Sequence, residues 1–320
     1  AERTVARPVE APCVPSSPSS SPHGLPRVVF DREPKASAPV LIGWALIDWC
    51  VIGVAWYVMA RFANGWVFAA GTIVVASRLH ALGVILHDAC HARMRGKPLR
   101  WRLLEVLAGW PIASTIDAMR FHHLRHHAAS GTPLDPYITT VSARSLPWRI
   151  LLSLRGTVLP FWWTLRAVLA PLALALPPFR TPWARAFLQD RSGRELCRHP
   201  EVLACARADL AQLAGQSAFI GLAVALGLPV VSFYLVPWVV AGILNARRVV
   251  YEHAWVQNAD RSRARAWETT LEHDPGWLGN AILYPHNIGL HRTHHLYPTV
   301  PFVHLRRLSA AAHAGDRAQT

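Results

Sequence analysis

The chain contains 17 histidines, and eight of them fall into three short clusters instead of being spread along the sequence. Within each cluster the histidines are three or four positions apart, a spacing that places imidazoles on one face of a helix. The clusters are His87 and His91; His123, His126 and His127; and His291, His294 and His295. Neutral imidazole binds Fe, Zn, Cu or Ni, and eight rings exceed the roughly four to five ligands that one ion accepts. The sequence therefore predicts a site for two metal ions.

Polar residues next to the clusters are candidates for holding the ligands in place. Asp88 and Asp135 are expected to accept hydrogen bonds from imidazole N–H groups, which fixes the tautomer of a metal-binding histidine. Asn287, four residues before the third cluster, is expected either to bridge to a metal-bound water or to cap a helix. His122 adjoins the second cluster but is offset by one position, so we interpret it as a neighbour of the ligands.

The composition indicates a membrane protein. Of the 320 residues, 52% are hydrophobic and only 16% are charged, whereas soluble proteins carry about 25% charged residues. A formal net charge of +14 suits nucleic acid, an anionic membrane surface or an acidic partner protein, and the apolar composition favours the last two. We therefore expect no nucleic-acid partner. The five cysteines form no C-x-x-C pair and predict neither a zinc ribbon nor a disulfide framework.

Four apolar segments of about 20 residues are each long enough to cross a hydrocarbon layer of roughly 30 Å. They lie at residues 40–60, 66–86, 210–228 and 229–246. Asp48, Arg78 and His80 fall inside the first two segments and should face the interior of the helix bundle, because ionisable groups are costly in lipid. Residues 146–176 mix tryptophan, arginine and proline, which favours a helix in the membrane interface over a fifth span. Residues 101–116 predict a short interfacial or re-entrant helix.

The distribution of cations predicts the orientation. Arginine and lysine concentrate between the second and third spans and just after the fourth, which places these segments, both termini and the histidine clusters in the cytoplasm. We therefore predict an all-α integral membrane protein with two transmembrane helical hairpins, four spans in total, under a cytoplasmic histidine-rich helical cap. Its expected parts are a disordered Pro/Ser-rich cytoplasmic tail (1–36), a membrane domain (37–308) and a flexible C-terminal tail (309–320).

The three clusters and their order resemble the histidine boxes of the membrane fatty acid desaturase and hydroxylase superfamily. The boxes read HDACH from His87, HLRHH from His123 and HRTHH from His291, and the gap between the last two holds the second predicted hairpin. The segments GTPLDP at residues 131–136 and HLYPTVP at residues 295–301 add to the resemblance.

The resemblance covers roughly residues 40–308. It implies a non-haem di-iron centre with two iron ions, histidine ligands and O2 as the co-substrate. Family members place a further histidine after the fourth span, which indicates His253 as a ninth ligand. The chain carries no flavin, haem or iron–sulfur motif, so each turnover needs an external electron donor, such as ferredoxin, on the cytoplasmic side.

Three functions are compatible with these patterns. The leading hypothesis is an O2-dependent di-iron desaturase that introduces a double bond into a fatty-acyl chain, in the inner membrane of a bacterium. The alternative is a hydroxylase or ketolase of a lipid or carotenoid, because the boxes do not separate these outcomes. A third hypothesis is a metal transporter or a non-catalytic metal-binding membrane protein. Transporters hold their ligands near the bilayer midplane, whereas these clusters lie at the ends of spans and beyond.

Overall fold

The protein is helical throughout the part of the chain that the computed structural model describes, which comprises residues 34–62, 64–94, 96–137, 145–253 and 269–317. Within these ranges the one extended pairing is an isolated bridge between His253 and Thr270. The α-helices are, in chain order, α1 (Ala38–Arg61), α2 (Gly65–His91), α3 (Leu99–Leu104), α4 (Ile116–Ala129), α5 (Leu146–Leu154), α6 (Leu159–Val168), α7 (Ala170–Ala175), α8 (Pro177–Phe187), α9 (Pro200–Ala225), α10 (Val236–Glu252), α11 (Gly276–Leu283), α12 (His291–Leu296) and α13 (Phe302–Arg317). The all-helical prediction is confirmed for these residues.

Four of the described helical segments are long and apolar enough to cross a membrane, as predicted. They are α1, α2, α9 and the segment Val231–Glu252, in which a π-helical turn over Val231–Leu235 leads into α10. α2 lies at the centre and packs against α1 and α10: 61% of its most apolar stretch is buried, compared with 17% in α9. α2 continues through the first histidine cluster to His91, and α9 begins at Pro200, so both exceed the predicted spans.

The length of α2 carries the first histidine cluster out of the apolar layer. The Asn64 side chain caps the helix by accepting hydrogen bonds from the N–H groups of Trp66 and Val67, at 2.8 and 3.4 Å. The helix then runs for 27 residues. At about 1.5 Å per residue it extends roughly 40 Å, about 10 Å more than the hydrocarbon layer. A helix that starts in one interface therefore presents its last turns outside the opposite one.

The charged residues of the first two spans face the protein interior, as predicted. Asp48 is 1% exposed, and its carboxylate accepts hydrogen bonds from Arg78 (3.1 Å) and His286 (2.7 Å). His80 is also buried. Arg78 donates a further hydrogen bond to the carbonyl of Ala281. The segment that precedes the third histidine cluster is therefore fastened to the middle of α2.

The region predicted as an interfacial helix, residues 146–176, consists of three short helices, α5, α6 and α7, and none is long enough to cross a membrane. Each begins with a proline in its first turn, where the missing N–H is tolerated but continuation of a preceding helix is not. Between α5 and α6 the backbone approaches α10 closely. A Cβ atom on Gly156 would lie 2.3 Å from the Gly242 carbonyl oxygen, so only glycine fits there.

Two further segments differ in extent from the sequence-based expectation. The region at 101–116 is bent, because α3 continues into a π turn over Glu105–Gly109 and a 3-10 turn over Trp110–Ile112. α13 continues to Arg317 and therefore includes residues assigned above to the C-terminal tail. The N-terminal tail lies outside the described residues, except for its last three positions.

A buried ion pair joins α6 and α9 beside the start of α4. Arg166 is 1% exposed and donates hydrogen bonds to both carboxylate oxygens of Asp209, at 2.8 and 2.9 Å, and one to the carbonyl of Ala113. Asp209 also accepts from Thr115, which caps α4 by accepting from the N–H of Ala118. Because α4 carries the second histidine cluster, this network positions part of the candidate site.

Replacing Arg166 by Met is expected to destabilise the protein by about 3–5 kcal/mol, because the buried Asp209 carboxylate would lose its positively charged partner. The double variant R166M/D209L should recover much of that stability, since no buried charge remains. The unfolding transition of the detergent-purified protein measures both effects. In the control R185M, an exposed pair with Glu195 at 3.8 Å is lost, which should change stability by less than about 1 kcal/mol. An R166M protein as stable as this control would contradict the role assigned to the buried pair.

Candidate metal centre

The first histidine cluster occupies the last two turns of α2. His87 and His91 lie one turn apart with ring centroids separated by 5.3 Å, and His87 is 3% exposed. Asp88 lies between them and accepts a hydrogen bond of 2.6 Å from the N–H of Phe302, the first residue of α13. This bond joins the first cluster to the helix that follows the third cluster.

The second cluster lies on α4, where His123 and His126 are buried and His127 is half-buried. The adjacent His122 has a different partner: its Nδ1 lies 2.9 Å from the hydroxyl of Tyr137. The same hydroxyl lies 3.5 Å from Nδ1 of His123. His122 is therefore connected to the cluster through Tyr137.

The third cluster forms the short helix α12, and a tight turn leads into it. His286 and Asn287 both have positive φ values, 55° and 57°, which are uncommon for residues other than glycine. Asn287 donates a hydrogen bond to the carbonyl of Phe302 at 3.1 Å and accepts one from Arg306 at 3.4 Å. Both contacts tie the turn to α13. These contacts do not cap α12, which begins after Leu290 without a side-chain cap, and the predicted contact of Asn287 with a metal-bound water stays a prediction.

Nine imidazoles converge in two groups, and within each group the ligand atoms lie within 4.8 Å of one another. This limit is close to twice a metal–nitrogen bond of about 2.1 Å, so each group has the dimensions of a site for one ion. The five-histidine group consists of His87, His91, His123, His127 and His294. The four-histidine group consists of His126, His253, His291 and His295.

Helical spacing explains how the clusters divide between the two groups. The pairs four residues apart, such as His123 and His127 on α4 and His291 and His295 on α12, each stay together. The remaining histidine of each cluster lies three residues after the first one and belongs to the other group: His126 is separated from His123, and His294 from His291. Adjacent helical residues point about 100° apart, so His126 cannot face the same ion as His127. Each of these two helices therefore contributes ligands to both sites.

His253 lies where the resemblance predicted a ninth ligand. It follows the last residue of α10, is 3% exposed, and pairs through its backbone with Thr270. Its ring centroid lies 4.8 Å from those of both His126 and His291, and its Nε2 lies 3.1 Å from Nε2 of His291. The end of the fourth apolar helix thus supplies an imidazole to the four-histidine group.

Burial keeps these imidazoles neutral, which is the form that binds metal. Burial is the main cause that lowers the pKa of the rings beyond the apolar spans, and neighbouring imidazoles lower it further. These rings are His123, His127, His253, His291, His294 and His295. Among the nine grouped imidazoles, four enclosed Nε2 atoms have no hydrogen-bond partner in the described part of the chain, namely those of His87, His91, His126 and His295. Metal ions at the two convergence points would satisfy these atoms, so the residues present fit the implied pair of ions.

Asp135 orients one ligand of the four-histidine group. Its carboxylate, which is 0% exposed, accepts a 2.8 Å hydrogen bond from Nδ1 of His126 and one from the N–H of Tyr137. Burial by itself raises the pKa of Asp135, but His126 and the Tyr137 N–H outweigh that effect and lower it. Since an ionised carboxylate only accepts hydrogen bonds, the His126 proton lies on Nδ1 and Nε2 is free to bind a metal.

Two more carboxylates lie near ligand rings, but neither is hydrogen-bonded to its ring among the described residues. Asp88 and Glu252 each lie 3.4 Å from an Nδ1 atom, in His87 and His291 respectively. Asp88 was predicted for this position, whereas Glu252 was not. Glu252 is 0% exposed and accepts a 2.6 Å hydrogen bond from Arg248. The sequence signal that could have revealed it is an acidic residue four positions after an arginine and directly before His253.

The fold and the site together define a helical protein with membrane-spanning helices and histidine groups capable of binding metal. The chain belongs to the fatty acid desaturase family, whose model matches residues 64–319. This match confirms the resemblance that the histidine boxes indicated.

The relatives of the chain are plant omega-3 desaturases. It is 28% identical over 280 residues to the chloroplastic temperature-sensitive sn-2 acyl-lipid omega-3 desaturase (ferredoxin) of Arabidopsis thaliana. The aligned region covers 79% of this chain and 58% of that protein. It is 33% identical over 109 residues to the chloroplastic omega-3 fatty acid desaturase of Glycine max, which covers 30% of this chain and 23% of that protein. The chain thus spans less than two thirds of the length of these relatives.

Replacing Glu252 by Gln should weaken metal binding in the four-histidine group. The amide keeps the size of the side chain but loses the negative charge that lies 3.4 Å from Nδ1 of His291. Loss of such a neighbouring carboxylate lowers metal affinity by about 10–100-fold. Competition with a chelator measures the iron affinity directly. The matched control E195Q alters a carboxylate that is 75% exposed and should leave the affinity unchanged. Equal affinities in the two variants would contradict the role of Glu252.

Replacing His253 by Ala should remove roughly one iron per chain, because the four-histidine group would keep only three imidazoles. Iron counted by elemental analysis in the purified protein tests this expectation. The control is His273→Ala, since His273 lies outside both groups and donates to the carbonyl of Tyr251 at 2.7 Å. If the His253 variant retains two irons, His253 is not a metal ligand and its role is structural.

Proposed function

We propose that this chain is an O2-dependent di-iron desaturase that introduces a double bond into a fatty-acyl chain. The observation that carries the proposal is the pair of histidine groups beside a largely apolar cavity, which four of their imidazoles line. Family membership and the omega-3 desaturase names of the relatives support this reaction. The name of the Arabidopsis thaliana relative also specifies an sn-2 acyl-lipid and ferredoxin, which favours a membrane lipid as substrate and a ferredoxin-like electron donor.

In this proposal each histidine group holds one iron ion. Imidazole is a suitable ligand for iron among other ions, and the family makes iron the favoured choice. Bound iron supplies the chemistry that activates O2 to remove hydrogen from an unactivated C–H bond. Asp135 holds the ring of His126 by a hydrogen bond, whereas Asp88 and Glu252 lie 3.4 Å from the Nδ1 atoms of His87 and His291. The surrounding side chains keep water away from the ligands.

The cavity is the proposed binding site of the acyl chain. At one end it is lined by His87, His123, His253 and His291, which contribute to both groups. Much of its wall is apolar, formed by side chains of α2, α6 and α10 that include Leu79, Val84, Trp163, Trp238, Ala241 and Ala246. Such a wall accepts a hydrocarbon chain by removing its surface from water or lipid. The same arrangement brings a chain carbon to the histidine groups and excludes solvent.

A hydroxylase or ketolase acting on a lipid or carotenoid is the second candidate, because it would use the same ligands. The desaturase names of the relatives make it the less favoured one. Metal transport is the third, and it is disfavoured because the ligands lie on the last turns of α2 and on helices outside the apolar spans, away from the bilayer midplane.

The proposed donor approaches the five-histidine group. Seven of the nine imidazole residues are buried, whereas His91 and His127 are half-buried, which makes them the part of the centre nearest the surface. The exposed Arg93 lies two residues beyond His91 and suits an acidic carrier. We assign this face, both termini and the connecting helices to the cytoplasmic side of a bacterial inner membrane, with the four spans paired as two hairpins and the membrane domain at residues 37–308.

The decisive test is a product assay with the purified protein, iron, ferredoxin, ferredoxin reductase, NADPH and an acyl lipid. Electron-dependent O2 consumption together with a product that has lost two hydrogens supports desaturation. A product that has gained one oxygen identifies a hydroxylase. Bound iron without electron-dependent O2 consumption would contradict the proposed enzymatic activity and would indicate a metal-binding membrane protein instead.

Replacing His294 by Ala should abolish activity and lower bound iron while the protein still inserts into the membrane. His294 belongs to the five-histidine group, and its Nε2 lies 3.1 Å from Nε2 of His127. Iron content, turnover and the amount of membrane-extracted protein are measured together. His199→Ala is the control, because His199 lies outside both groups. Full iron and near-normal turnover in the His294 variant would show that the ligand assignment is wrong.

A further inference from the structure

One imidazole interrupts the apolar wall of the cavity well away from the histidine groups. His80 lies on α2, seven residues before His87, and both residues line the cavity. Seven residues are almost two full helical turns, so the two side chains leave the helix in nearly the same direction. The same spacing puts His80 roughly 10 Å along the helix from His87. His80 therefore faces the region that would hold the part of an acyl chain remote from the reaction.

His80 has no hydrogen-bond partner in the described part of the chain. It is 4% exposed, and both of its ring nitrogens are fully enclosed. A neutral imidazole offers one N–H donor and one acceptor nitrogen, and buried polar groups are normally paired. Within a membrane span an ionisable residue of this kind is a candidate functional residue. A plain hydrocarbon ligand would leave both nitrogens unsatisfied.

Arg248 adds a second unsatisfied donor to the same cavity. It lines the cavity from α10, and its guanidinium donates to Glu252 at 2.6 Å and to Asn245 at 3.5 Å. Its Nε–H is buried and meets no acceptor among the residues described. Arginine can only donate, so the group that completes this part of the cavity must contain an acceptor. An oxygen atom of the ligand, in a carbonyl or a hydroxyl group, meets this requirement for both side chains.

We propose that His80 binds an oxygen atom carried by the substrate chain, with Arg248 as a further donor in the wall of the same cavity. The inference rests on the proposed acyl-chain function of the cavity and narrows its substrate class. An extended chain advances roughly 1.2 Å per bond. A distance of roughly 10 Å therefore corresponds to roughly eight bonds between the oxygen-bearing carbon and the carbon at the histidine groups. The oxygen belongs either to the ester carbonyl of the acyl group or to a hydroxyl group within the chain, and an ordered water is the competing occupant.

Binding of three probes of equal chain length tests the proposal without relying on turnover. The probes are octadecane, methyl octadecanoate and an octadecanol with its hydroxyl group at mid-chain. Each competes with a brominated ester that quenches the fluorescence of Trp163 and Trp238, which line the cavity. The iron-loaded, full-length protein in detergent should bind one oxygenated probe at least about tenfold more tightly than octadecane. A preference for the ester identifies the carbonyl as the ligand, and a preference for the alcohol identifies a chain hydroxyl.

Substitutions separate His80 from the rest of the cavity. His80→Phe should reduce the preference for the oxygenated probe to about twofold or less without weakening octadecane binding, and His80→Gln should retain most of it. Thr72→Val is the matched control: Thr72 is also buried on α2 with an unpartnered side chain, but it does not line the cavity. The Thr72→Val variant should prefer the oxygenated probe over octadecane as strongly as the unmodified protein does.

Two outcomes would overturn the proposal. Equal binding of all three probes to the unmodified protein, or an undiminished preference in His80→Phe, would mean that an ordered water satisfies His80. In both cases octadecane still binds, so the result would reject the oxygen site but not the proposed acyl-chain cavity. Failure of every probe to bind would instead reject the cavity itself and with it the proposed function.

Discussion

The structure depends on one electrostatic constraint, which is that nine imidazoles, seven of them buried and two half-buried, must lie close together without carrying charge. Each ring then has a lone pair that must meet a metal ion or a donor, and an N–H that must meet an acceptor. The two convergence points provide for the lone pairs, while Asp88, Asp135 and Glu252 approach the opposite edges of three rings. Neutral, oriented imidazoles are the state in which these groups bind metal.

The other buried charges serve to hold the histidine-bearing helices in register. Arg166 and Asp209 stabilise the start of α4, and Asp48 with Arg78 fastens the turn before α12 to α2. Asp88 joins the end of α2 to the start of α13. Ion pairs of this kind contribute little net stability compared with apolar packing, but a partner lost from one leaves a buried charge. A helix in a wrong relative position would break such a pair, so the pairs fix the positions of the helices, as the geometry of a metal site requires.

The cavity beneath the metal centre combines two demands that oppose each other. An acyl chain binds by its apolar surface, which gives little information about where along its length it stops. Polar groups in the wall supply that information, because each needs a hydrogen-bond partner. A polar atom of the acyl chain can be that partner only when the chain has stopped at one particular position. In this protein His87, His123, His253 and His291 line the cavity at the histidine groups, and the proposed oxygen site at His80 marks a second point about two helical turns away.

The sequence by itself determined the features that arise from local spacing: the three histidine boxes, four apolar spans, the buried positions of Asp48 and His80, and membership of the desaturase family. The same spacing predicted that the rings of each box share one helical face, whereas the structure divides the second and third boxes between the two groups. Only the tertiary structure decided that His126 joins His253, while His127 joins His294, and that Glu252 stands beside His291. The physical reason is that a helical repeat specifies which side chains share a face. It does not specify which distant face lies opposite, since that follows from packing and buried charges far apart in the chain.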